Sequence, residues 1–368
     1  MPRMMRLNLL ILAYIAFILF VFIAVALIDL VPLLKKKNAV TYGKAYHPKI
    51  LMMVPCRGDD MTLKDNLKSI SGQSYKNYDV IAIVDDAADP AVKYIREMGM
   101  KYILSDYKGG RASGKVRAII TAIRSFKNYD AYVIADSDIL VGKDWLKELV
   151  APLQDRKIGI STTFPKFVPR AGFWSKVKFV WGFAGEGLME NSSTRFGWGG
   201  SLAFRKNLIN WKTMEMLENS RYSVSDDISL TKAAKGMGLG IAYVKKAQPI
   251  VNSDDSFPKF LEWSNRQSTL SVLGYRKNFY YGIAFYSAEI MLFVSGIALS
   301  YFINTLFLVL LAHFLRSEMR TALRARSSDP TIALIVVFMP LIYLANLLAA
   351  SRTDHITWRG RRYTIERK

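Results

Sequence analysis

Long apolar runs near both ends of the chain predict membrane helices. Residues 7–34 are almost continuously apolar, with one charge at Asp29, and about 20 such residues cross a bilayer. No small-residue cleavage site follows this run, so we predict a retained anchor over residues 1–34, with an uncleaved export signal as the alternative. Residues 280–315 and 331–350 are also apolar, and they predict two or three further membrane helices within residues 279–350.

The first of these late stretches is too long for one perpendicular span. Two helices separated near Gly296 or Asn304 would account for its length. One span with an interfacial lead-in would account for it equally well.

The middle of the chain, residues 35–278, has a shorter pattern that predicts an α/β fold. Its strand-like runs are KILMMVPC, YDVIAIVDD, KYILSD and AYVIADSD, and helix-like segments such as TLKDNLKSISGQ and GKVRAIITAIRSF lie between them. Strands that alternate with helices of about ten residues indicate a mostly parallel sheet with crossover helices. We therefore expect one α/β domain between the anchor and the late membrane helices.

Basic residues flank the anchor unequally. Lys35, Lys36 and Lys37 follow it, against Arg3 and Arg6 before it. The positive-inside rule therefore predicts an integral protein of the cell membrane whose central domain lies on the cytoplasmic side.

The two late basic segments compete for the same side of the membrane. One lies between the late apolar stretches and the other is the tail, residues 351–368. Both prefer the cytoplasm, but they cannot both lie there if residues 280–315 form a full hairpin and residues 331–350 a full span. One apolar segment that lies in the interface would resolve the conflict.

The net charge of +21 indicates that the protein binds something negatively charged. A soluble protein with this charge would suggest nucleic acid, but no RNA-binding motif or zinc-finger spacing is present, and we expect no nucleic-acid partner. The charge instead indicates attraction to anionic lipid headgroups and to a phosphorylated substrate.

Cysteine and histidine are too few for a disulfide or a zinc site. Cys56 is the one cysteine, which excludes an internal disulfide. The three histidines are far apart in the sequence: His47, His313 and His355. Any metal must therefore be held by carboxylates.

Carboxylates follow the predicted strands. Asp85 and Asp86 come after the second strand, and Asp136 and Asp138 after the fourth. The carboxyl ends of parallel strands share one edge of a sheet, where ligands bind in open α/β folds. Two aspartates this close would repel each other without a cation, and oxygen ligands suit Mn²⁺ or Mg²⁺ that also binds phosphate. For Asp138 the alternative is a cap on a following helix.

A second acidic pair stands at a predicted helix start. Ser225, Asp226 and Asp227 precede an apolar helical pattern that stops at Gly236 and Gly238. One aspartate is expected to cap the helix. The other could accept a proton from an attacking hydroxyl.

Lys115 stands at another predicted helix start, after a glycine-rich bend. It could pair with a diphosphate at that position. It could equally be a solvated lysine in the first turn.

The ordered motifs resemble those of a known family. A proline ends the first strand, VDD follows the second and DSD the fourth, and GWGGSLAFRK, SDD and a tryptophan-containing segment come later. In this order they resemble membrane-anchored family 2 glycosyltransferases, most closely the ceramide glucosyltransferase branch and its prokaryotic relatives. The tail ITWRGRRY resembles the end of that branch, and the likeness covers most of the chain from Pro48 onward. The resemblance implies the nucleotide-sugar-binding A-type fold plus transmembrane helices.

The resemblance also implies roles for individual residues. Asp85 or Asp86 resembles the carboxylate that contacts the uracil and ribose, and Asp227 matches the catalytic base, with Asp226 as its acidic neighbour. Asp136 and Asp138 match the pair that binds the metal and the diphosphate. The other matched positions line the substrates: Pro55, Gly199, Gly200 and Ser201.

One motif departs from the family pattern. The family has an arginine directly before a tryptophan, whereas this chain has Glu262 before Trp263. Arg266 and Gln267 lie one helical turn further along and could reach the same diphosphate or the acceptor. Alternatively, Trp263 is an interfacial anchor and Arg266 contacts lipid headgroups.

The reaction that the resemblance implies is inverting transfer of a sugar, from a donor such as a UDP-hexose, to a membrane lipid hydroxyl. The product would be a glycolipid, and a divalent cation, Mn²⁺ or Mg²⁺, would be the cofactor. The aromatic and basic residues 173–183 would bring the lipid to the site, although core packing is an equal alternative for them. A processive polysaccharide synthase and a non-catalytic membrane scaffold with this fold are the competing hypotheses.

Overall fold

The computed structural model describes residues 2–34, 46–108 and 110–366. These residues belong to two compact units. The helical unit comprises Met1–Ala39 and Tyr275–Arg352, and the α/β unit comprises Val40–Gly274 and Thr353–Lys368. Lys35, Lys36 and Lys37, on which the predicted sidedness depends, lie outside the described residues.

The described residues contain helices and strands with the following bounds. The helices are α1 (Pro2–Leu34), α2 (Leu63–Ser71), α3 (Ala91–Glu97), α4 (Gly114–Ser125), α5 (Trp145–Val150), α6 (Phe173–Glu190), α7 (Trp211–Glu218), α8 (Asp226–Gly236), α9 (Phe257–Gly274), α10 (Lys277–Phe302), α11 (Ala312–Ala325) and α12 (Pro330–Arg352). The strands are β1 (Ile50–Pro55), β2 (Tyr78–Val84), β3 (Lys101–Leu104), β4 (Ala131–Ala135), β5 (Ile139–Leu140), β6 (Ile158–Thr162), β7 (Lys166–Ala171), β8 (Ser201–Arg205), β9 (Gly240–Tyr243), β10 (Ile250–Asp254), β11 (His355–Trp358) and β12 (Arg361–Thr364).

Among its described residues, the helical unit has three helices that are long and apolar enough to cross a membrane. They are Met5–Ile28 within α1, and α10 and α12 in full. The long stretch 280–315 breaks after α10, where the Asn304 side chain accepts a hydrogen bond from the Leu306 amide at 2.9 Å and caps a short 3₁₀ helix, Thr305–Leu311. Gly296 lies inside α10, where an added Cβ would be 2.9 Å from Leu311, so this glycine permits close packing and does not end the helix.

The α/β unit is built on a seven-stranded sheet with the order β3-β2-β1-β4-β8-β6-β9. β1, β2, β3 and β4 are parallel, with crossover helices between them, whereas β8 is antiparallel to β4 and β6. The predicted mixed α/β fold with a largely parallel sheet is confirmed. The strand order reverses between β1 and β4, and a crevice at such a reversal is where open α/β sheets bind ligands.

A three-stranded sheet, β5-β10-β7, extends the unit beyond β4. Its first strand begins at Ile139, directly after Asp138, and the next helix does not begin until Trp145. Asp138 therefore caps no helix. The Asp136–Asp138 segment instead connects the last residue of β4 to the second sheet, which holds both aspartates at the carboxyl edge of the large one.

Alternating side chains of β1 explain why it lies at the centre. Ile50, Met52 and Val54 pack into one buried cluster, and Leu51 and Met53 into another on the opposite face. All five are fully buried. A strand that is apolar on both faces is typical of a parallel sheet covered by helices on both sides.

The tail forms a hairpin, β11 and β12, that belongs to the α/β unit. Ile356 and Ile365 are buried beside Val224. The predicted division of the chain at residues 34, 278 and 350 stays a prediction. Of the predicted tail, Ser351 and Arg352 are the last residues of α12, whereas residues 353–366 belong to the α/β unit.

Candidate active site

Asp136 and Asp138 are placed by the backbone at the end of β4. The amide of Asp136 donates to the Gly200 carbonyl at 3.1 Å, which ties this loop to the start of β8. The buried Asn66 of α2 donates from its side chain to the Ser137 carbonyl at 3.1 Å. These two bonds hold the aspartates at the edge where the strand order reverses.

Lys115 connects the two acidic pairs. Ser113 caps α4, so Lys115 lies in the first turn, and its side chain is only 8% exposed. Its Nζ lies 2.6 Å from Asp136 Oδ1 and 3.3 Å from Asp226 Oδ2. Burial alone would lower the pKa of Lys115, but the two carboxylates outweigh burial and hold the pKa above its ordinary value. Lys115 is therefore a buried cation between carboxylates, not a solvated surface lysine.

Asp226 and Asp227 occupy the first turn of α8, and neither is its cap residue. The cap is Ser225, whose hydroxyl accepts a hydrogen bond from the Ile228 amide at 3.4 Å and also bonds the Asp227 carboxylate. The expectation that one aspartate is the cap residue is therefore wrong, because Ser225 holds the position before the first turn. The Ile228 amide also donates to Asp227 Oδ1, at 2.8 Å. Asp227 Oδ1 is thus bonded at the start of the helix, and Asp226 Oδ2 faces Lys115.

The electrostatic surroundings of Asp227 suit a general base. Burial, followed by the neighbouring Asp226 carboxylate, raises the pKa of Asp227 to about 7. Lys115 acts in the opposite direction and limits the rise. A carboxylate with a pKa near neutrality is ionised often enough to act and still accepts a proton readily.

Gly199 and Gly200, directly before β8, leave space for the side chains of Asp226, Lys115 and Trp198. A Cβ on Gly199 would lie 2.4 Å from Asp226 Oδ2 and 2.9 Å from Lys115 Nζ, and a Cβ on Gly200 would lie 2.2 Å from the Trp198 ring. The Gly199 carbonyl also accepts a hydrogen bond from Lys115 at 3.1 Å. Ser201 is different, because its buried hydroxyl accepts from Trp145 Nε1 at 2.9 Å, which engages it in the core.

Pro55, Asp85 and Asp86 end the two neighbouring strands. Pro55 is the half-buried last residue of β1 and pairs with Ile83 of β2. Asp85 Oδ2 lies 2.8 Å from Arg361, and the exposed Asp86 accepts a hydrogen bond from the Ala88 amide at 2.9 Å. The structure therefore brings Asp85 to the same edge as Asp136, engaged with an arginine from the tail.

The tryptophan motif lies on α9. The Trp263 ring packs at 4.8 Å from Trp181 and 5.0 Å from Phe167, with Lys178 Nζ 4.8 Å from its centre. Trp263 therefore belongs to an aromatic cluster between α6 and α9.

Arg266 and Gln267, both half-buried, follow on α9. The Arg266 guanidinium lies 5.9 Å from the centre of the Trp358 ring. Burial lowers the pKa of Arg266, and the nearby Glu262 carboxylate counteracts this effect. Arg266 thus faces the tail hairpin, and Glu262, in the place of the family arginine, helps to keep it charged.

The chemistry of the aspartate pair fits a divalent cation. The Asp138 carboxylate accepts no hydrogen bond from any residue that the structure describes, and burial and the Asp136 charge raise its pKa to about 6. A half-buried carboxylate that accepts no hydrogen bond gains from a hard cation. Within the described ranges no group of three or more His, Cys, Asp or Glu residues forms a complete metal cluster, so a bound cation would need further ligands from phosphate or water.

Sequence reasoning missed the contribution of the tail. The Trp358 ring lies 6.0 Å from Lys115 Nζ, and Arg359 pairs with Asp60 at 2.6 Å. Arg361 reaches Asp85, as described above. The run WRGR was visible in the sequence as part of the tail that resembles the family, but no individual role was predicted for it, because nothing local places residue 361 beside residue 85.

Comparisons with known proteins bear on the family and the fold of the chain. The family model described as "Glycosyl transferase family 21" matches residues 15–368. Mannosyltransferase PcManGT from Pyrobaculum calidifontis, solved with GDP-Man and Mn²⁺, is 19% identical with a TM-score of 0.51, and the match covers 91% of this chain and 97% of that one. Glucosyl-3-phosphoglycerate synthase from Mycobacterium tuberculosis, solved with Mn²⁺ and UDP-glucose, is 17% identical with a TM-score of 0.42 and coverages of 62% and 79%.

The family match extends over nearly the whole chain. The matched family is family 21, which is ceramide glucosyltransferase-like and so agrees with the predicted branch, whereas the prediction placed that branch in family 2. The similarity to the mannosyltransferase supports the A-type fold. The chain belongs to glycosyl transferase family 21, and it is a glycosyltransferase.

Proposed function

We propose that this protein transfers a hexose, with inversion, from a nucleoside diphosphate sugar to the hydroxyl of a membrane lipid. The observation that carries the proposal is the buried cluster in which Lys115 lies between Asp136 and Asp226, with Asp227 beside it. It stands at the switch point of the sheet, and the part of the chain that the structure describes has three helices of membrane length. Donors with a diphosphate are also bound by the similar structures solved with GDP-Man and UDP-glucose, and we favour a UDP-hexose.

Asp227 acts as the base in this mechanism. Its carboxylate takes the proton of the lipid hydroxyl as the oxygen attacks the anomeric carbon. The bond from that carbon to the diphosphate oxygen breaks on the opposite side, so one displacement inverts the configuration. Ser225, bonded to the Asp227 carboxylate, holds it in position.

Charge on the departing diphosphate is matched by cations of the chain. Lys115 is held at the site by Asp136 and the Gly199 carbonyl, and a preorganised buried charge stabilises a leaving group strongly. Asp136 and Asp138 would hold Mn²⁺ or Mg²⁺, which would neutralise negative charge on the diphosphate. Asp85 and Asp86 would contact the base and ribose.

The acceptor would approach along α6. Its first residue, Phe173, is 49% exposed, and Phe257 and Leu261 of α9 are exposed beside this end of the α/β unit. Trp174 packs between the two helices, 4.6 Å from the Phe257 ring. The middle of α6 is buried core, so residues 173–183 both pack and present an apolar edge to a lipid surface.

The tail hairpin constrains the topology that we propose. Because it packs in the α/β unit, the α/β unit and the tail lie on one side of the membrane, which we take to be the cytoplasmic side. Spans through α10 and α12 would return the chain to that side. The segment between them, α11, has an exposed apolar row, Leu315, Met319 and Leu323, beside a basic row, Arg316, Arg320 and Arg324. Such a helix is typical of the membrane interface.

The inverting step can be tested by the stereochemistry of the product. We expect an α-linked nucleotide sugar to give a β-linked glycolipid, which the anomeric coupling constant in proton NMR of the purified product would show. A product that retains the donor configuration would exclude single displacement by a base such as Asp227.

The pH dependence follows from the raised pKa of Asp227. Only the ionised carboxylate accepts a proton, so kcat/KM should be low on the acid side and rise with pH through about 7. Rates at fixed donor and lipid concentrations between pH 5.5 and 8.5 would measure this, with thermal unfolding recorded at each pH to exclude denaturation. A flat profile across this range would remove Asp227 from the role of base.

Metal dependence follows from the Asp136 and Asp138 pair. Chelation of divalent cations should lower turnover by about 100-fold or more, and Mn²⁺ should restore it. Direct titration by electron paramagnetic resonance should show Mn²⁺ bound in the presence of UDP, with weaker binding in Asp138→Asn. Unchanged Mn²⁺ binding in this variant would show that Asp138 is not a ligand.

A further inference from the structure

The tip of the C-terminal hairpin is a tight turn that presents basic residues. Trp358 pairs with Arg361 across the hairpin, and Arg359 and Gly360 form the turn with φ of 49° and 76°. Two central residues with positive φ are the pattern of a type I′ turn, which matches the twist of the strands. The turn therefore holds the backbone of Arg359 in a defined conformation.

The hairpin is fixed on the α/β unit by contacts away from this tip. Ile356 and Ile365 are buried beside Val224. Tyr363 Oη accepts a hydrogen bond from the Gly114 amide at 3.2 Å, and Glu366 pairs with Arg111. These anchors place the hairpin over the start of α4 without any help from Arg359.

Arg359 lies at the aspartate edge of the sheet. Its guanidinium donates to both carboxylate oxygens of Asp60, at 2.6 and 3.1 Å, and to the Arg57 carbonyl at 3.2 Å. Burial would lower the pKa of Arg359, but Asp60, and then the more distant Asp138 and Asp136, raise it above its ordinary value. The charges of Asp136 and Asp138, which are predicted to bind the metal and the diphosphate, thus act on Arg359.

Trp358 separates two further cations of the site. Its ring centre lies 6.0 Å from Lys115 Nζ and 5.9 Å from the Arg266 guanidinium. Arg266 also lies 3.5 Å from the Thr357 carbonyl. The contacts of Arg266 are therefore with the hairpin.

Two other guanidiniums at the carboxyl ends of β1 and β2, those of Arg57 and Arg361, lie 3.7 and 2.8 Å from Asp85. Arg359 differs from them because it pairs with Asp60, a residue with no predicted role in the site.

We propose that the C-terminal hairpin is part of the donor site and that Arg359 binds the donor diphosphate. Directly before the tryptophan, the family has an arginine where this chain has Glu262. Arg359 would supply the guanidinium that is missing there. On donor binding, the Arg359 fork would exchange the Asp60 carboxylate for phosphate oxygens, for which its planar pair of donors is suited. The inference rests on the proposed function in one respect, namely that the donor carries a diphosphate.

The sharpest test compares nucleotides that differ only in phosphate number. In full-length protein in lipid nanodiscs with Mn²⁺, calorimetry would give Kd values for UDP and UMP, and for GDP and GMP. Arg359→Gln should weaken binding of the preferred diphosphate by roughly tenfold to a hundredfold. Binding of the matching monophosphate should weaken much less, because the base and ribose contacts are kept.

Arg362→Gln is the matched control. Arg362 lies on the same hairpin, is exposed, and contacts His355 at 3.0 Å instead of the site. It should leave all Kd values unchanged. Arg359→Lys, which keeps the charge but loses the fork, should fall between wild type and Arg359→Gln.

Three outcomes are informative. If Arg359→Gln binds the diphosphate as wild type does, or loses both nucleotides by the same factor, the inference about Arg359 is wrong and the proposed function stands. If wild type binds none of the four nucleotides, the proposed donor itself is wrong. A selective loss of diphosphate binding, absent in Arg362→Gln, supports the inference.

Discussion

Asp227→Asn is expected to transfer sugar about 100- to 10,000-fold more slowly than wild type while still binding the donor nucleotide. The amide fills the same space in the first turn of α8 but cannot take a proton from the acceptor. The donor contacts assigned to Asp136 and Lys115 remain in place. Initial rates of nucleoside diphosphate release, together with the Kd for the nucleotide, would separate loss of chemistry from loss of binding.

Asp155→Asn provides the comparison for this change. Asp155 is exposed and its side chain accepts a hydrogen bond from the Lys157 amide at 2.8 Å, in a turn before β6. Its variant should keep wild-type rates. Asp227→Asn protein that keeps more than about a tenth of wild-type turnover would exclude Asp227 as the base.

Lys115→Met should destabilise the α/β unit and abolish transfer. Removal of the buried ammonium leaves Asp136 and Asp226 close together without their cation, and breaking a buried pair in this way costs about 3 to 5 kcal/mol. Because burial and the Asp136 charge raise the pKa of Asp226, protonation should relieve the loss as the pH falls. Unfolding in denaturant, followed by tryptophan fluorescence at pH 8 and pH 5, would measure both effects.

Lys108→Met is the matched variant, since Lys108 is an exposed lysine ahead of the same helix. It should change the free energy of unfolding by no more than about 0.5 kcal/mol. If Lys115→Met is as stable as Lys108→Met at pH 8, the buried ion pairs do not exist in solution.

The α/β fold was predictable because its signals are local. Each of β1 to β4 is a short apolar run followed by a helix with its own period, and such runs specify a parallel sheet without long-range information. The positions of Asp136 and Asp227 were predictable for the same reason, as residues that follow a strand or begin a helix. The antiparallel strand β8 and the second sheet were not predicted, because their partners are distant in sequence.

The tail shows where local reasoning fails. Arg361 and Asp85 are 276 positions apart, yet their side chains lie 2.8 Å apart. A basic hairpin that docks on a protein edge has the same composition as one that binds lipid headgroups, so charge alone could not indicate that Arg361 pairs with Asp85. The cap on α8 failed for a different reason, because Ser225, Asp226 and Asp227 can all cap a helix and only the backbone geometry selects the serine.

The most direct test of the central proposal is where the sugar goes. Wild-type protein in lipid nanodiscs would be incubated with Mn²⁺ and radiolabelled UDP-hexoses or GDP-mannose, and the lipid and polymer fractions would be counted separately. We predict label in the lipid fraction from at least one donor, and its loss in Asp227→Asn. Label confined to the polymer fraction would indicate a processive synthase. No label in either fraction, or undiminished label in Asp227→Asn, would contradict the proposal.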